Sequence, residues 1–197
     1  MTTEHNSKPI WDDKNAKWYA EKYGNHISNA MTIRLADLKA DDDFIDIGCG
    51  SGTACREAAK IITDGTIIGI DPTPAMIHIA KKQTSNEIPN IKFMRGSAEV
   101  LPIERNTKTI CTAINSIHHW NDYKNGLAEI LRVLKPQGRL IISDEIVSDD
   151  SCGHGEGPLS NPKKVIDVLN NAGFANAMME TYEEGSDGIY LFRAEKH

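Results

Sequence analysis

An α/β domain built on a doubly wound, mostly parallel sheet is the architecture this sequence predicts, and three observations predict it. Short β-branched runs alternate with longer helical stretches through most of the chain, the pattern of successive βα units. The first such run, Asp43 to Ile47, feeds directly into a glycine-rich turn and then a helix. A length of 197 residues gives room for one ordinary core and too little for two independent ones. With 40% hydrophobic and 25% charged residues the chain sits near the globular average, so a packed domain is expected rather than disorder.

The elements follow in order. Asp12 to Tyr23 and Ser28 to Leu38 read as helices, with Trp11, Trp18, Tyr19 and Tyr23 concentrated around the first. Strands are predicted at Asp43 to Ile47, Thr66 to Ile70, Ile91 to Arg95, Thr109 to Ile114 and Arg139 to Asp144, each ending at a turn or polar cluster. Helices are predicted between them at Thr53 to Ile62, Pro74 to Gln83 and Tyr123 to Leu134. Lys135-Pro136-Gln137-Gly138 offers a cation, a breaker and a glycine that stop the third of these. Ser148 to Pro162 reads as an irregular loop, and Pro162 to Asn171 as a helix capped by Gly173. Ala175 to Tyr182 and Ile189 to Ala194, joined by a polar glycine-containing stretch, read as a closing antiparallel hairpin, which makes seven strands. Residues 1–40 are expected to be a helical cover within the same domain, and residues 41–197 its core.

The formal net charge of −6 and pI near 5.6 argue against nucleic acid or anionic membrane as partners. Met1 to Ile10 lacks the apolar segment of a signal peptide, and nowhere do apolar residues run long enough to span a bilayer, so a cytoplasmic location is expected. Cys49, Cys55, Cys111 and Cys152 stand singly, without C-x-x-C pairing, and read as reduced thiols.

The chemistry concentrates in Asp46-Ile47-Gly48-Cys49-Gly50-Ser51-Gly52, which places three glycines after a buried strand and before a helix. Glycine lets backbone approach a ligand without a Cβ in the way, and the helix start beyond offers unpaired N–H groups. Asp71 closes the next strand about twenty residues on, where a carboxylate can accept from both hydroxyls of a ribose. A nucleoside is indicated. The spacing is G-x-G-x-G preceded by an acid, not the G-x-G-x-x-G of pyrophosphate binders, which leaves nicotinamide dinucleotides as the alternative.

Four motifs in order, Asp46 to Gly52, Gly69-Ile-Asp-Pro-Thr-Pro-Ala-Met76, Gly96-Ser-Ala-Glu-Val-Leu-Pro102 and Leu134-Lys-Pro-Gln-Gly-Arg-Leu140, carry a resemblance to the class I S-adenosylmethionine-dependent methyltransferases of small-molecule type. It extends from about Trp11 to Arg193. The resemblance implies a Rossmann-like methyltransferase fold, S-adenosyl-L-methionine as cofactor and S-adenosyl-L-homocysteine as product. It implies that Gly48, Cys49, Gly50 and Gly52 pack under the methionine part and that Asp46 helps place its ammonium group. Asp71 is implied to hold the ribose. Pro72 and Met76 follow, Met76 on the adenine face, though a plain core methionine is the rival reading. Ser97, Ala98 and Glu99 match a segment that contacts adenine, with a departure: Ser97 stands where the family commonly has an acid. Asn115 is implied to lie beside the methionine part, and Tyr19 to close over the sulfonium; a strand-end turn residue and a helix-docking aromatic are the respective alternatives.

Methyl transfer from a sulfonium is an in-line displacement, so a protein chiefly aligns the nucleophile and excludes water. If the acceptor needs a general base, His118-His119-Trp120 supplies the candidate, with His119 preferred and a structural histidine as the other reading. Cys152, His154 and Glu156 are too few and too loosely set among glycines for a metal site, so no metal is expected. With no sizeable cap domain, a small-molecule acceptor is expected and a macromolecular one stays open. Two further readings remain: a nicotinamide-dependent oxidoreductase, and an inactive S-adenosylmethionine-binding partner subunit.

Overall fold

The computed structural model describes residues 12–84, 90–146 and 161–197. Seven strands, β1 (Phe44–Ile47), β2 (Ile67–Asp71), β3 (Ile91–Arg95), β4 (Lys108–Ile114), β5 (Leu134–Glu145), β6 (Ala175–Glu184) and β7 (Asp187–Glu195), form one sheet in the order β3-β2-β1-β4-β5-β7-β6. The first five are mutually parallel, and β7 is antiparallel to both β5 and β6. All four residues of β1 are buried, as expected of a central strand covered on both faces.

Helices α2 (Ile27–Leu35), α3 (Thr53–Ala58) and α4 (Pro74–Gln83) cover one face through a core that includes Met31, Ile33, Cys55, Ile77 and Ala80. Helices α5 (Tyr123–Val133) and α6 (Pro162–Ala172) cover the other, burying Leu127, Ile130, Val133, Val165 and Leu169. Helix α1 (Asp13–Tyr23) stands apart. Its buried residues are Ala16 and Ala20, which meet Met76 of α4 in a small cluster of their own. No helix among the described residues is long and apolar enough to cross a membrane.

Strand order reverses between β2-β1 and β1-β4, so the carboxyl ends of β1 and β4 diverge into helices on opposite faces and leave a crevice between them. That crevice holds the candidate site.

Several boundaries differ from the sequence reading. Helix α5 stops at Val133, ahead of Lys135 to Gly138 as expected, but that segment already lies inside β5, because Gln137 N–H donates to Lys196 O at 2.8 Å and Lys196 N–H to Gly138 O at 2.9 Å. The breaker residues there make an irregularity, with Gln137 at φ 63 and a register shift between Lys108 and Ile110. Helix α3 stops at Ala58 as i to i+3 bonds from Lys60 and Ile61 take over. Helix α2 ends at Leu35, ahead of Asp37 at φ 51. The hairpin turn tightens to Gly185-Ser186, which a positive φ of 67 at Gly185 permits. The capping by Gly173 is as expected, at φ 100. Trp11, Cys152, His154, Glu156 and the loop from Ser148 to Ser160 lie outside the described residues.

Candidate active site

At the crevice a cleft opens to solvent beyond the carboxyl ends of the parallel strands, the place where open α/β sheets bind ligands. Its wall contains Tyr19, Gly48, Gly50, Asp71, Pro72, Met76, Ser97, Ala98, Glu99, Asn115 and His119, all singled out from sequence. It also contains Trp120, named from sequence only alongside the two histidines, and Ile47, Thr73, Gly96, Ser116 and Asn121, which were not singled out. Each of these adjoins a named residue in the chain, and that adjacency was the available signal. Asp46, Cys49 and Gly52 are not part of the wall.

The glycine turn separates by function. Gly48, Gly50 and Gly52 all have positive φ, at 77, 51 and 80. A Cβ on Gly48 would lie 2.5 Å from Ser116 Cβ, and one on Gly52 would lie 2.6 Å from Phe93 Cζ. These two glycines serve close packing. A Cβ on Gly50 would meet nothing within 4 Å, so its missing side chain faces the open cleft.

Asp71 binds the two halves of this cradle. One carboxylate oxygen accepts from Gly50 N–H at 3.0 Å and the other from Thr73 N–H at 2.8 Å. Burial raises its pKa, opposed by the bonds from Thr73 and Gly50. An ionised carboxylate has about four acceptor positions, so the two backbone bonds and one from the Thr73 side chain leave room for a further donor from the cleft.

Asp46 turns into the sheet instead. It is 2% exposed and accepts from Thr112 Oγ1 at 2.7 Å. Burial pushes its pKa from 3.8 to about 7, the Thr112 hydroxyl opposing and the Asp71 charge adding to the rise. Between those values the native state holds a proton that the unfolded state has released, so this group's contribution to stability falls as pH rises from 3.8 through about 7. Asp46→Asn cannot titrate. Its melting temperature relative to the parent is therefore expected to climb across that window and level off above it, and a constant difference would contradict the assignment.

Burial also raises Cys49, Cys55 and Cys111 well above the usual thiol range, keeping all three protonated and unreactive. Among the described residues no group of three or more His, Cys, Asp or Glu has the arrangement of a metal site.

On the opposite wall Asn115 takes φ 47, and its side chain is committed: Nδ2 donates to Ser28 Oγ at 2.9 Å and Glu145 Oε1 at 2.6 Å, while Oδ1 accepts from Glu145 N–H at 3.1 Å. His26 Nδ1 lies 3.0 Å from the same Glu145 oxygen, fastening α2 to the ends of β4 and β5. After Asn115 comes a short 3₁₀ turn, Ile117–His119. His118 pairs with Asp144 at 3.0 Å and touches His119, their ring centroids 4.1 Å apart. His119 is the one of the two that lines the cleft. Tyr19 reaches the wall from α1 and packs on Tyr23, with centroids 5.0 Å apart.

Residues 45–142 match a family model described as a methyltransferase domain. An uncharacterized methyltransferase, YcgJ of Bacillus subtilis, is 28% identical over 140 residues, which cover 70% of this chain and 54% of the relative. The O-methyltransferase cnsE of Penicillium expansum is 28% identical over 176 residues, 83% of this chain and 63% of the relative. The chain thus spans between about half and two thirds of the length of these curated relatives. Among solved structures, a SAM dependent methyltransferase from Aquifex aeolicus superposes with a TM-score of 0.77 at 20% identity, covering 95% of this chain and all of the other. Phosphoethanolamine N-methyltransferase 2 of Haemonchus contortus, in complex with S-adenosyl-L-methionine, superposes at 0.73 and 17% identity over 97% of this chain and 59% of its own. Likenesses at such identities establish the fold.

Proposed function

We propose that this chain is a class I S-adenosylmethionine-dependent methyltransferase, whose cleft binds S-adenosylmethionine and transfers the methyl group to a small-molecule acceptor by in-line displacement; the methyltransferase-domain match over residues 45–142 and the shared fold support the reading. One observation carries the placement: Gly50 turns its empty Cβ direction into the cleft while its N–H and the neighbouring turn are fixed by Asp71, whose oxygens retain acceptor capacity there.

In this reading Asp71 accepts from the ribose hydroxyls, and Pro72, Met76, Ser97 and Ala98 form the adenine end of the wall. Gly48 and Gly50 line the methionine end, with Asn115 contributing its backbone since its side chain is taken. Asp46, Cys49 and Gly52 act from below, holding the turn in shape through Thr112, Gly69 and Phe93 contacts. The bound sulfonium supplies the electrophilic methyl. Tyr19 covers that end and excludes water, and His119 takes a proton from an acceptor hydroxyl, thiol or acidic carbon through a ring nitrogen.

A thermal-shift panel tests the cofactor. S-adenosylmethionine and S-adenosylhomocysteine should raise the melting temperature where NAD and NADP do not, because only a ligand of the native state does so. Incorporation of labelled methyl from a metabolite extract tests the transfer.

We also propose that residues 1–40 are a cover within one domain whose core is residues 41–197. Helix α1 buries two alanines and ends at Gly24, whose carbonyl accepts from Ser51 Oγ at 3.3 Å and from Thr53 Oγ1. Deleting Met1 to Tyr23 should leave a cooperative melt and reduce turnover by about tenfold or more, since misalignment of the reacting groups is costly. Loss of the cooperative melt, or full turnover, would contradict the cover assignment.

A further inference from the structure

We propose that Glu99 is a positioning residue that holds the wall carrying His119 and Trp120 against the wall carrying Ser97 and Ala98; the inference rests on the placement of the cofactor in this cleft. The two walls come from different parts of the chain, the segment after β3 and the loop between β4 and α5. One oxygen of Glu99 accepts two consecutive backbone donors from that loop, Asn121 N–H at 2.9 Å and Asp122 N–H at 3.1 Å.

These are the last donors before α5, because the Asp122 side chain itself caps the helix by accepting from Lys124 N–H at 3.0 Å and Asn125 N–H at 3.1 Å. A carboxylate at a helix start is favoured by the local partial positive charge. The other end of the loop is anchored by Ser116 Oγ, which donates to Ile47 O at 2.6 Å. The loop is therefore pinned at both ends, and the later pin is Glu99.

Trp120 shows what the clasp sets. Its ring lies over Gly126, where a Cβ would come within 2.6 Å of Trp120 Cε3 and 3.4 Å of Ala98 Cβ. Gly126 gives the indole its seat, and Ala98 sits beside it. The same strip of chain is stitched to α5 further on, where Leu101 N–H donates to Glu129 at 2.8 Å and Arg132 donates to Leu101 O at 3.0 Å and Ile103 O at 2.7 Å. A ligand that orders the Ser97–Ala98 wall thus bears, through Glu99, on the side chains that face the methyl acceptor.

The test uses the full chain with Trp11→Phe and Trp18→Phe, which leaves Trp120 as the one remaining tryptophan of three. Emission of the ligand-free protein and S-adenosylhomocysteine affinity are measured for this parent and for Glu99→Ala, Glu99→Gln and Asn121→Pro. Glu99→Ala should shift Trp120 emission to the red and weaken S-adenosylhomocysteine by about tenfold, as loss of a charge-assisted hydrogen bond does. Glu99→Gln keeps an oxygen that accepts both donors, and it should stay within about threefold of the parent. Asn121→Pro removes one donor, and the extended backbone of Trp120 (φ −72, ψ 136) admits a following proline, so it should shift emission in the same direction even if Glu99→Ala does not fold. Parent-like emission in both Glu99→Ala and Asn121→Pro would overturn the proposal. So would a glutamine variant that loses affinity as fully as the alanine variant with emission unchanged, because the carboxylate would then be a direct ligand group. If the parent itself does not bind S-adenosylhomocysteine, the cofactor reading fails, and the ligand-free emission still decides the role of Glu99.

Discussion

Gly50→Ala is expected to lose about hundredfold or more in S-adenosylmethionine affinity while keeping most of its folding stability, and Gly50→Val to bind no detectable cofactor. The reasoning is geometric. At φ 51 an alanine Cβ has nothing within 4 Å to strike in the protein, so its stability penalty is the left-handed backbone alone, about 1–2 kcal/mol. The same Cβ projects into the space where the cofactor's backbone contact would be made. Gly52 supplies the contrast within one turn. There a Cβ lies 2.6 Å from the Phe93 ring and 3.1 Å from Ala80 Cβ at φ 80, so Gly52→Ala should cost about 2–4 kcal/mol of stability before any effect on binding. Chemical denaturation and calorimetry on the two variants separate them, and equal loss of affinity and stability in both would mean that the turn is only a packing device.

Asp71→Ala is the second large effect, expected to weaken cofactor binding by about 1.5–3 kcal/mol, the range for a hydrogen bond to a charged group. It also removes the acceptor of Gly50 N–H and Thr73 N–H, so the turn loosens and stability should fall by about 1–3 kcal/mol as two donors lose their partner. Asp71→Asn keeps one acceptor oxygen and should recover part of both losses. Calorimetry showing parent affinity in Asp71→Ala would remove the ribose assignment.

Legibility followed locality. Strand β3 and helix α4 have the bounds expected from pattern alone, since hydrophobic alternation and Pro74 at the helix start are signals carried by adjacent residues. Strand β5 was misjudged at its beginning, because Lys135 to Gly138 is held in the sheet by Lys196 at the other end of the chain. The site divides the same way. Gly50 and Asp71 were readable from turn chemistry within one βαβ unit. Whether Asp46 and Gly52 face a ligand or the interior depends on Thr112 and Phe93, which only the assembled sheet brings to them. Glu99 was readable as part of a motif, yet its engagement of Asn121 and Asp122 depends on how the loop before α5 returns to the cleft.

The measurement that bears most directly on the central claim is a calorimetric titration of S-adenosylhomocysteine into the parent chain and into Gly50→Val at matched concentration. One-to-one binding to the parent and no measurable heat with Gly50→Val is the predicted result. Absence of binding to the parent, or equal affinity in both, would contradict a cofactor seated on the glycine turn.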